Sequence, residues 1–214
     1  MGVSQAELGK QLNSSAMAVS RWERGAQEPP ANIYIQLGNI TGDPECWYFW
    51  GRAGLDSGDL MRVAHRLRKK GSHLVAIPVL PVVAATHGGK GDPEVSLDQA
   101  RPETVLAAPS SWCPNPAYTS CLRVRGRSMM PVLHDGYIIV VDKSQTNRKK
   151  LYGQIVVAAH KEQGLIVSRL QRFDDTEVLV PENREYDSIS ISSASWRIVA
   201  KILWWIGRAS QAAS

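Results

Sequence analysis

The chain has 214 residues, enough for two small domains that each bury a core. Lys and Arg outnumber Asp and Glu and give a formal net charge of +5, which suits a polyanionic partner but is also common in proteins that bind nothing acidic. The longest apolar run, Leu74 to Ala85, is interrupted by Pro78 and Pro81 and is far shorter than the roughly 20 residues that span a bilayer. Without a secretion signal, and with an odd number of cysteines that lack metal-ligand spacing, the sequence predicts a cytoplasmic protein with reduced thiols, no membrane contact, no metal and no cofactor.

Two short helices are predicted at the N-terminus. Ser4 precedes the first helix and has Glu7 three residues on, which is the spacing of a capping box. After a tight turn, a second helix begins at Ser15 and is closed by Gly25. Two short helices around a three-residue turn are typical of the helix-turn-helix, a DNA-binding motif.

The strings S-Q-A-E-L-x-x-x-L and S-x-x-x-V-S-R-W-E-R-G closely resemble the Cro/CI-type helix-turn-helix family over about residues 3–55. The resemblance implies that the second helix lies in the major groove, where side chains near its N-terminus meet base edges. The DNA-binding residues that it implies are Gln5, at a phosphate, and Ser15, Ala16, Met17, Ser20 and Arg21. Arg21 either reads a guanine through O6 and N7 or is a solvated charge that at most touches phosphate. Members of this family carry another helix before this motif, so we expect that the recorded start lies downstream of the natural one.

The remainder of the first domain is predicted to be helical up to residue 72. A helix over 33–40 is followed by an aromatic run at 45–50, which we interpret as core rather than as a nucleotide-stacking surface. A further helix with an apolar stripe ends in the basic run 66–70, where cations are favoured by the helix dipole. Residues 73–118 are predicted to form a linker, with little regular structure over 86–118.

Residues 119–208 are predicted to form a mostly β domain, because short β-rich runs recur between Gly, Asn and Pro. The predicted strands are 121–125, 137–142, 154–160, 164–171, 177–180, 187–192 and 196–206. The fold class is therefore α + β and multidomain, with an all-α helix-turn-helix domain, whose first helix is missing, before a mostly β domain.

Ser128 lies in a Pro-terminated turn between two of these strands, a position where a hydroxyl can be held rigidly. The motif G-x-S-M-x-P, followed by D-G-Y-I-I-V-V-D and by Pro181-Glu182-Asn183, resembles the C-terminal domain of the LexA-like and phage CI-like self-cleaving repressors over about residues 75–208. The resemblance implies that Ser128 occupies the position of the nucleophile. It also implies a general-base lysine in a stretch V-K-R-L, which here reads V-S-R-L with Ser168 in place of lysine.

The absence of that lysine removes the base, because a serine hydroxyl is a poor nucleophile until a base takes its proton. Ser168 cannot accept a proton at neutral pH, and Arg169 stays charged and points to the opposite face of the strand. Lys161 reaches the site only if the hairpin register differs from the expected one. We therefore predict a pseudoenzyme in which Ser128 is vestigial.

The segment after Leu74–Ala85 matches the place of the family's Ala-Gly cleavage site. The alignment makes Ala85 and Thr86 the former cleavage site, with Thr86 where glycine is expected. Threonine is branched and stiff, whereas glycine lets the backbone pass close to a nucleophile. His87 is predicted to be solvent-exposed in a Gly-rich loop and is not expected to be a base. Together these features predict no measurable self-cleavage at alkaline pH.

The predicted function is a sequence-specific transcriptional repressor that binds a two-fold symmetric operator in double-stranded DNA. The resemblance implies a homodimer formed through the C-terminal domain, which places two recognition helices about one DNA turn apart. One alternative is an active self-cleaving serine peptidase-repressor. Another is a regulator that keeps the peptidase-like pocket to recognise an unknown inducer or protein partner.

Overall fold

The computed structural model describes residues 3–41, 45–54, 74–87, 89–94, 96–191 and 195–207. The chain divides into two compact units, one of residues 1–79 with 101–117 and one of residues 80–100 with 118–214. The predicted linker, residues 73–118, thus contributes to both units. The predicted helix with the basic run 66–70 lies outside the described residues.

The first unit is mainly helical. Its helices are α1 (Gln5–Gln11), α2 (Ala16–Glu23), α3 (Ala31–Thr41) and α4 (Glu45–Arg52). Trp50 on α4 is 2 % exposed and packs with Ile35 of α3, whose carbonyl accepts a hydrogen bond from the indole N–H at 3.3 Å. Trp50 thus contributes to the core, as predicted for the aromatic run, whereas Tyr48 of the same run is 67 % exposed. Full burial of one large apolar side chain stabilises the fold by about 1.5–3 kcal/mol.

The second unit is mostly β. Strand β1 (Leu74–Ala85) begins in the first unit, where it pairs with β2 (Thr104–Pro109), and ends in the second unit. The other strands of the second unit are β3 (Thr119–Arg125), β4 (Ile138–Asp142), β5 (Ile155–His160), β6 (Gly164–Phe173), β7 (Thr176–Val180), β8 (Ile189–Ser190) and β9 (Trp196–Ile206). In this unit the strand order is β1-β3-β4-β9-β5-β6-β7-β8. Six of the seven strands predicted for the C-terminal region are confirmed over most of their length, whereas the one predicted over 187–192 is only Ile189–Ser190 within the described residues. The prediction of a loop over 86–118 is wrong in part, because this stretch contains β2 and a short helix, α5 (Ser96–Gln99).

Alternating side chains of β6 point into two different cores. Leu165 and Val167 belong to one apolar cluster, whereas Ile166 and Leu170 belong to a second that also contains Ala85. Ala85 at the end of β1 pairs in parallel with Ile166 of β6. This pairing brings the end of β1, and the segment that follows it, close to β6. Within the described residues, no helix is long and apolar enough to cross a membrane.

Candidate active site and candidate nucleic-acid interface

Ser128 lies in the turn that follows β3, and its side chain is fully buried. Gly126 makes this turn possible, because its φ of 111° falls in the left-handed region that side-chain-bearing residues rarely adopt. A Cβ at this position would also lie 2.2 Å from Thr86 Oγ1. The turn is held by the Gly126 N–H, which donates to the Asp135 carboxylate at 2.8 Å, and by the Asn183 N–H, which donates to the Ser128 carbonyl at 2.8 Å.

The segment after β1 is docked against this turn through backbone and side-chain hydrogen bonds. Thr86 is fully buried, and its N–H donates to the Arg125 carbonyl at 2.8 Å. The Ser128 N–H in turn donates to Thr86 Oγ1 at 3.2 Å. Thr86, predicted to replace the scissile glycine, therefore uses its hydroxyl to bind the turn that carries Ser128.

His87 is buried, so the prediction that it is exposed to solvent is wrong. Its backbone N–H donates to Ser128 Oγ at 2.8 Å, and its ring Nδ1 lies 3.4 Å from the same oxygen. These two contacts with Ser128 hold His87 in the interior. Among the described residues, Nε2 of this ring is buried and forms no hydrogen bond.

Burial lowers the pKa of His87, because desolvation disfavours the charged imidazolium. The Leu179 backbone raises the pKa against this effect, but it forms no hydrogen bond of normal geometry with Nε2. The net direction is downward, so the ring is neutral at physiological pH. A neutral imidazole can accept a proton, which the other side chains predicted for this site cannot do.

Ser168, at the position of the family's lysine, is fully buried on β6. Its hydroxyl donates to the Val180 carbonyl of β7 at 2.9 Å and thus forms a structural hydrogen bond between the two strands. Its neighbour Arg169 pairs with Glu182 at 2.6 Å. Lys161 is exposed in the turn of the β5–β6 hairpin, whose register pairs His160 with Gly164, so the alternative register that would bring Lys161 to the site is not formed.

The two N-terminal helices are confirmed with the caps that the sequence indicated. Ser4 and Glu7 form a complete capping box, and Ser15 Oγ accepts from the Ala18 N–H at 3.1 Å. The six residues predicted to contact DNA lie on or next to these helices, and all are exposed or half-buried: Gln5, Ser15, Ala16, Met17, Ser20 and Arg21. Their contact with DNA stays a prediction.

Two of these side chains contact neighbours on the protein. The Arg21 guanidinium lies 3.6 Å from the Met17 sulfur, one turn back on α2. Gln5 donates to the Glu23 carboxylate at 2.7 Å and so joins α1 to the end of α2. Gln5 therefore has an intramolecular partner that the sequence pattern did not indicate.

The end of β9 exposes large apolar side chains. Trp205 and Ile206 are 42 % and 43 % exposed, and they pair with Ile139 and Ile138 of β4. This surface belongs to the C-terminal domain, through which the resemblance implies that a dimer forms; the dimer stays a prediction. Sequence reasoning identified the strand but did not show which of its residues face outward.

The residue that sequence reasoning missed is His87. Two glycines follow it in the chain and favour a solvated loop, and nothing local indicates burial. The signal is non-local: Ala85, two residues earlier, pairs with Ile166, and His87 itself contacts Ser128. Among the described residues, no cluster of acidic, histidine or cysteine side chains could hold a metal ion.

A sequence model of the family described as Peptidase S24-like matches residues 81–203, which is more than half of the chain. The matched range contains Ser128, Ser168, the docked segment at Thr86–His87 and most of β9. No curated protein matches the chain.

Proposed function

Because the chain belongs to the Peptidase S24-like family, we propose that it is a cytoplasmic transcriptional repressor that binds operator DNA as a dimer. The observation that carries this proposal is the surface of α2. This helix is capped by Ser15 and presents Ala16, Met17 and Arg21 to solvent, and a short turn joins it to α1. This combination of apolar contact and a guanidinium suits a major groove with a thymine methyl and a guanine.

The dimer is supported by the apolar end of β9. Trp205 and Ile206 are exposed together, and exposed apolar patches of this kind mark protein interfaces. Two copies joined through this surface would present two copies of α2 to the half-sites of a symmetric operator.

The dimer is tested by introducing a charge. We expect Trp205→Lys to shift the chain from dimer to monomer in sedimentation experiments at micromolar concentration. Phe173→Lys is the matched control, since Phe173 is 61 % exposed at the end of β6, away from β9. An unchanged dimer in Trp205→Lys, or equal dissociation in both variants, would place the interface elsewhere.

DNA recognition is tested by selecting bound fragments from a genomic pool with the full-length chain. We expect recovered fragments to share a motif with two-fold symmetry and half-sites about one helical turn apart. Fragments without a shared motif would reduce the proposal to non-specific binding.

A second candidate, a self-cleaving repressor, is favoured by one observation. The segment after β1 is docked on Ser128 with two of its residues in hydrogen-bond contact with that serine, Thr86 and His87. A peptide segment held against a buried serine is the arrangement that cleavage of the chain's own backbone requires. Whether cleavage follows depends on a base, because Ser168 does not supply one.

A further inference from the structure

His87 is a buried titratable side chain that a serine–lysine mechanism does not use. It is 6 % exposed, and among the described residues the side-chain partner of its ring is the Ser128 hydroxyl. Among the residues that the structure describes, Nε2 has no hydrogen-bond partner, and burying such a polar atom costs free energy. The contact that this ring does make is therefore with the atom that the family uses as its nucleophile.

The ring also lies near β7, the strand that residue 168 contacts. The Leu179 backbone is close enough to the His87 ring to raise its pKa against the effect of burial. The Ser168 hydroxyl is directed to the carbonyl of the next residue on β7, Val180. The imidazole and residue 168, the family's lysine position, thus reach neighbouring residues of the same strand.

We propose that His87 is the proton acceptor of Ser128, and that this serine–histidine pair acts on the Thr86–His87 peptide bond. The bond is one residue beyond the predicted cleavage site, Ala85–Thr86. It is assigned by contact, since the nitrogen atom that touches Ser128 Oγ is that of His87. The assignment concerns the peptidase-like site alone, supplies the base for the second candidate function and stands whether or not the chain binds DNA.

The reaction balances with water as the co-reactant. Nδ1 takes the proton of Ser128 Oγ as this oxygen bonds to the Thr86 carbonyl carbon, and the proton passes to the His87 backbone nitrogen as the C–N bond breaks. Water then adds to the ester and the bond from carbon to Oγ breaks, which yields a Thr86 carboxylate, a His87 amine and the free hydroxyl. The Gly89 N–H, which donates to the Thr86 carbonyl oxygen at 3.0 Å, provides one donor for the oxyanion.

The resting geometry makes this reaction slow. Ser128 Oγ accepts a hydrogen bond from the His87 N–H, and the acceptor of a peptide N–H prefers to lie near the line of that bond, whereas attack needs the oxygen above the carbonyl carbon. The peptide plane must therefore rotate before the bond can be cut. The proposal opposes the prediction of no self-cleavage, which rested on the missing lysine and the missing scissile glycine and did not count His87 as a base.

The experiment incubates the purified full-length chain from about pH 5 to about pH 10 and follows intact and fragment masses. We expect fragments 1–86 and 87–214, and a rate that is already maximal at neutral pH because burial lowers the pKa of His87. A lysine base would instead require alkaline pH.

Four variants separate the roles. Ser128→Ala should abolish cleavage, and His87→Asn, which keeps a polar group near Nδ1 but accepts no proton, should slow it by about 100-fold or more. His134→Asn is the matched control and should cut at the wild-type rate, since the ring of His134 packs on Tyr137 at 5.1 Å. Ser168→Lys added to His87→Asn should restore cleavage at alkaline pH.

Two results overturn the proposal. One is the absence of fragment 87–214 from the wild-type chain at every pH, whatever the variants do. The other is an unchanged rate in His87→Asn. Either result leaves the DNA-binding proposal untouched, because fragment selection with the uncut chain tests that separately.

Discussion

The helix pair α1–α2 and the site around Ser128 are both organised by serine hydroxyls, and they use these hydroxyls over very different distances in the chain. Ser4 and Ser15 accept hydrogen bonds from N–H groups three residues further on. Ser128 accepts from the N–H of His87, 41 residues earlier in the chain. The first use is settled within one helical turn, and the second exists only when β1, β3 and β6 are in register.

This difference determines how each region responds to change. A cap is a local contact whose loss frays one helix end, and its cost is about 1 kcal/mol. The contacts around Ser128 depend on close approach between separate segments, where an added atom has no room to relax. We therefore expect larger effects from small changes at the serine site than at the caps.

The largest effect should come from Gly126→Ala. The added Cβ would lie 2.2 Å from Thr86 Oγ1, and the alanine would have to keep the backbone φ of 111°. Strain and overpacking together should lower the free energy of unfolding by about 3 kcal/mol, measured by urea denaturation of the full chain.

Gly136→Ala is the matched control for this variant. Its φ is 80°, but apart from its two chain neighbours no described residue has an atom within 4 Å of an added Cβ, so only the backbone strain of about 1–2 kcal/mol applies. Equal losses in the two variants would show that the contact between Thr86 and the Ser128 turn contributes little.

The next effect concerns DNA affinity. Arg21→Ala should weaken binding to the selected operator by roughly 1–3 kcal/mol and relax preference at one base pair, if the guanidinium reads a guanine. Fluorescence anisotropy on operator and scrambled duplexes measures both quantities.

Arg24→Ala, three residues along at the C-cap of α2, removes the same charge and should weaken binding equally on all sequences. If Arg21→Ala behaves in the same way, Arg21 is a phosphate contact, as the alternative interpretation holds.

The same contrast explains which features were predictable. The caps at Ser4 and Ser15 follow from residue types a few positions apart, and the strands from the alternation of apolar runs, so both could be read along the chain. Ser128 was identified because its motif is local. The burial of His87 could not be predicted, since it depends on the pairing of Ala85 with Ile166, 81 residues apart, and adjacent glycines favour the opposite conclusion.

A smaller effect is expected at the second cap. Ser15→Ala removes the acceptor for the Ala18 N–H and should lower the free energy of unfolding by about 1 kcal/mol, measured by far-ultraviolet circular dichroism during denaturation. Ser14→Ala is the control at the adjacent position, and we expect a change within about 0.5 kcal/mol. If Ser15→Ala lowered the free energy of unfolding as much as Gly126→Ala, the distinction between local cap contacts and the long-range contacts around Ser128 would be lost.

The smallest effect separates the two regions by pH, because serine caps do not titrate and His87 does. Burial lowers the pKa of His87 in the folded chain, so the unfolded chain binds a proton more readily. The contribution to stability is therefore complete above the unfolded pKa and decreases as pH falls through it towards the folded pKa. The groups facing the ring, the Ser128 hydroxyl and the Leu179 backbone, carry no charge that would offset this.

Between about pH 7.5 and about pH 5 the wild-type chain should lose more stability than His87→Asn, in urea denaturation at each pH. Parallel losses in the two proteins would mean that the imidazole is hydrated in the folded state, and the proton-acceptor assignment would lose its physical basis.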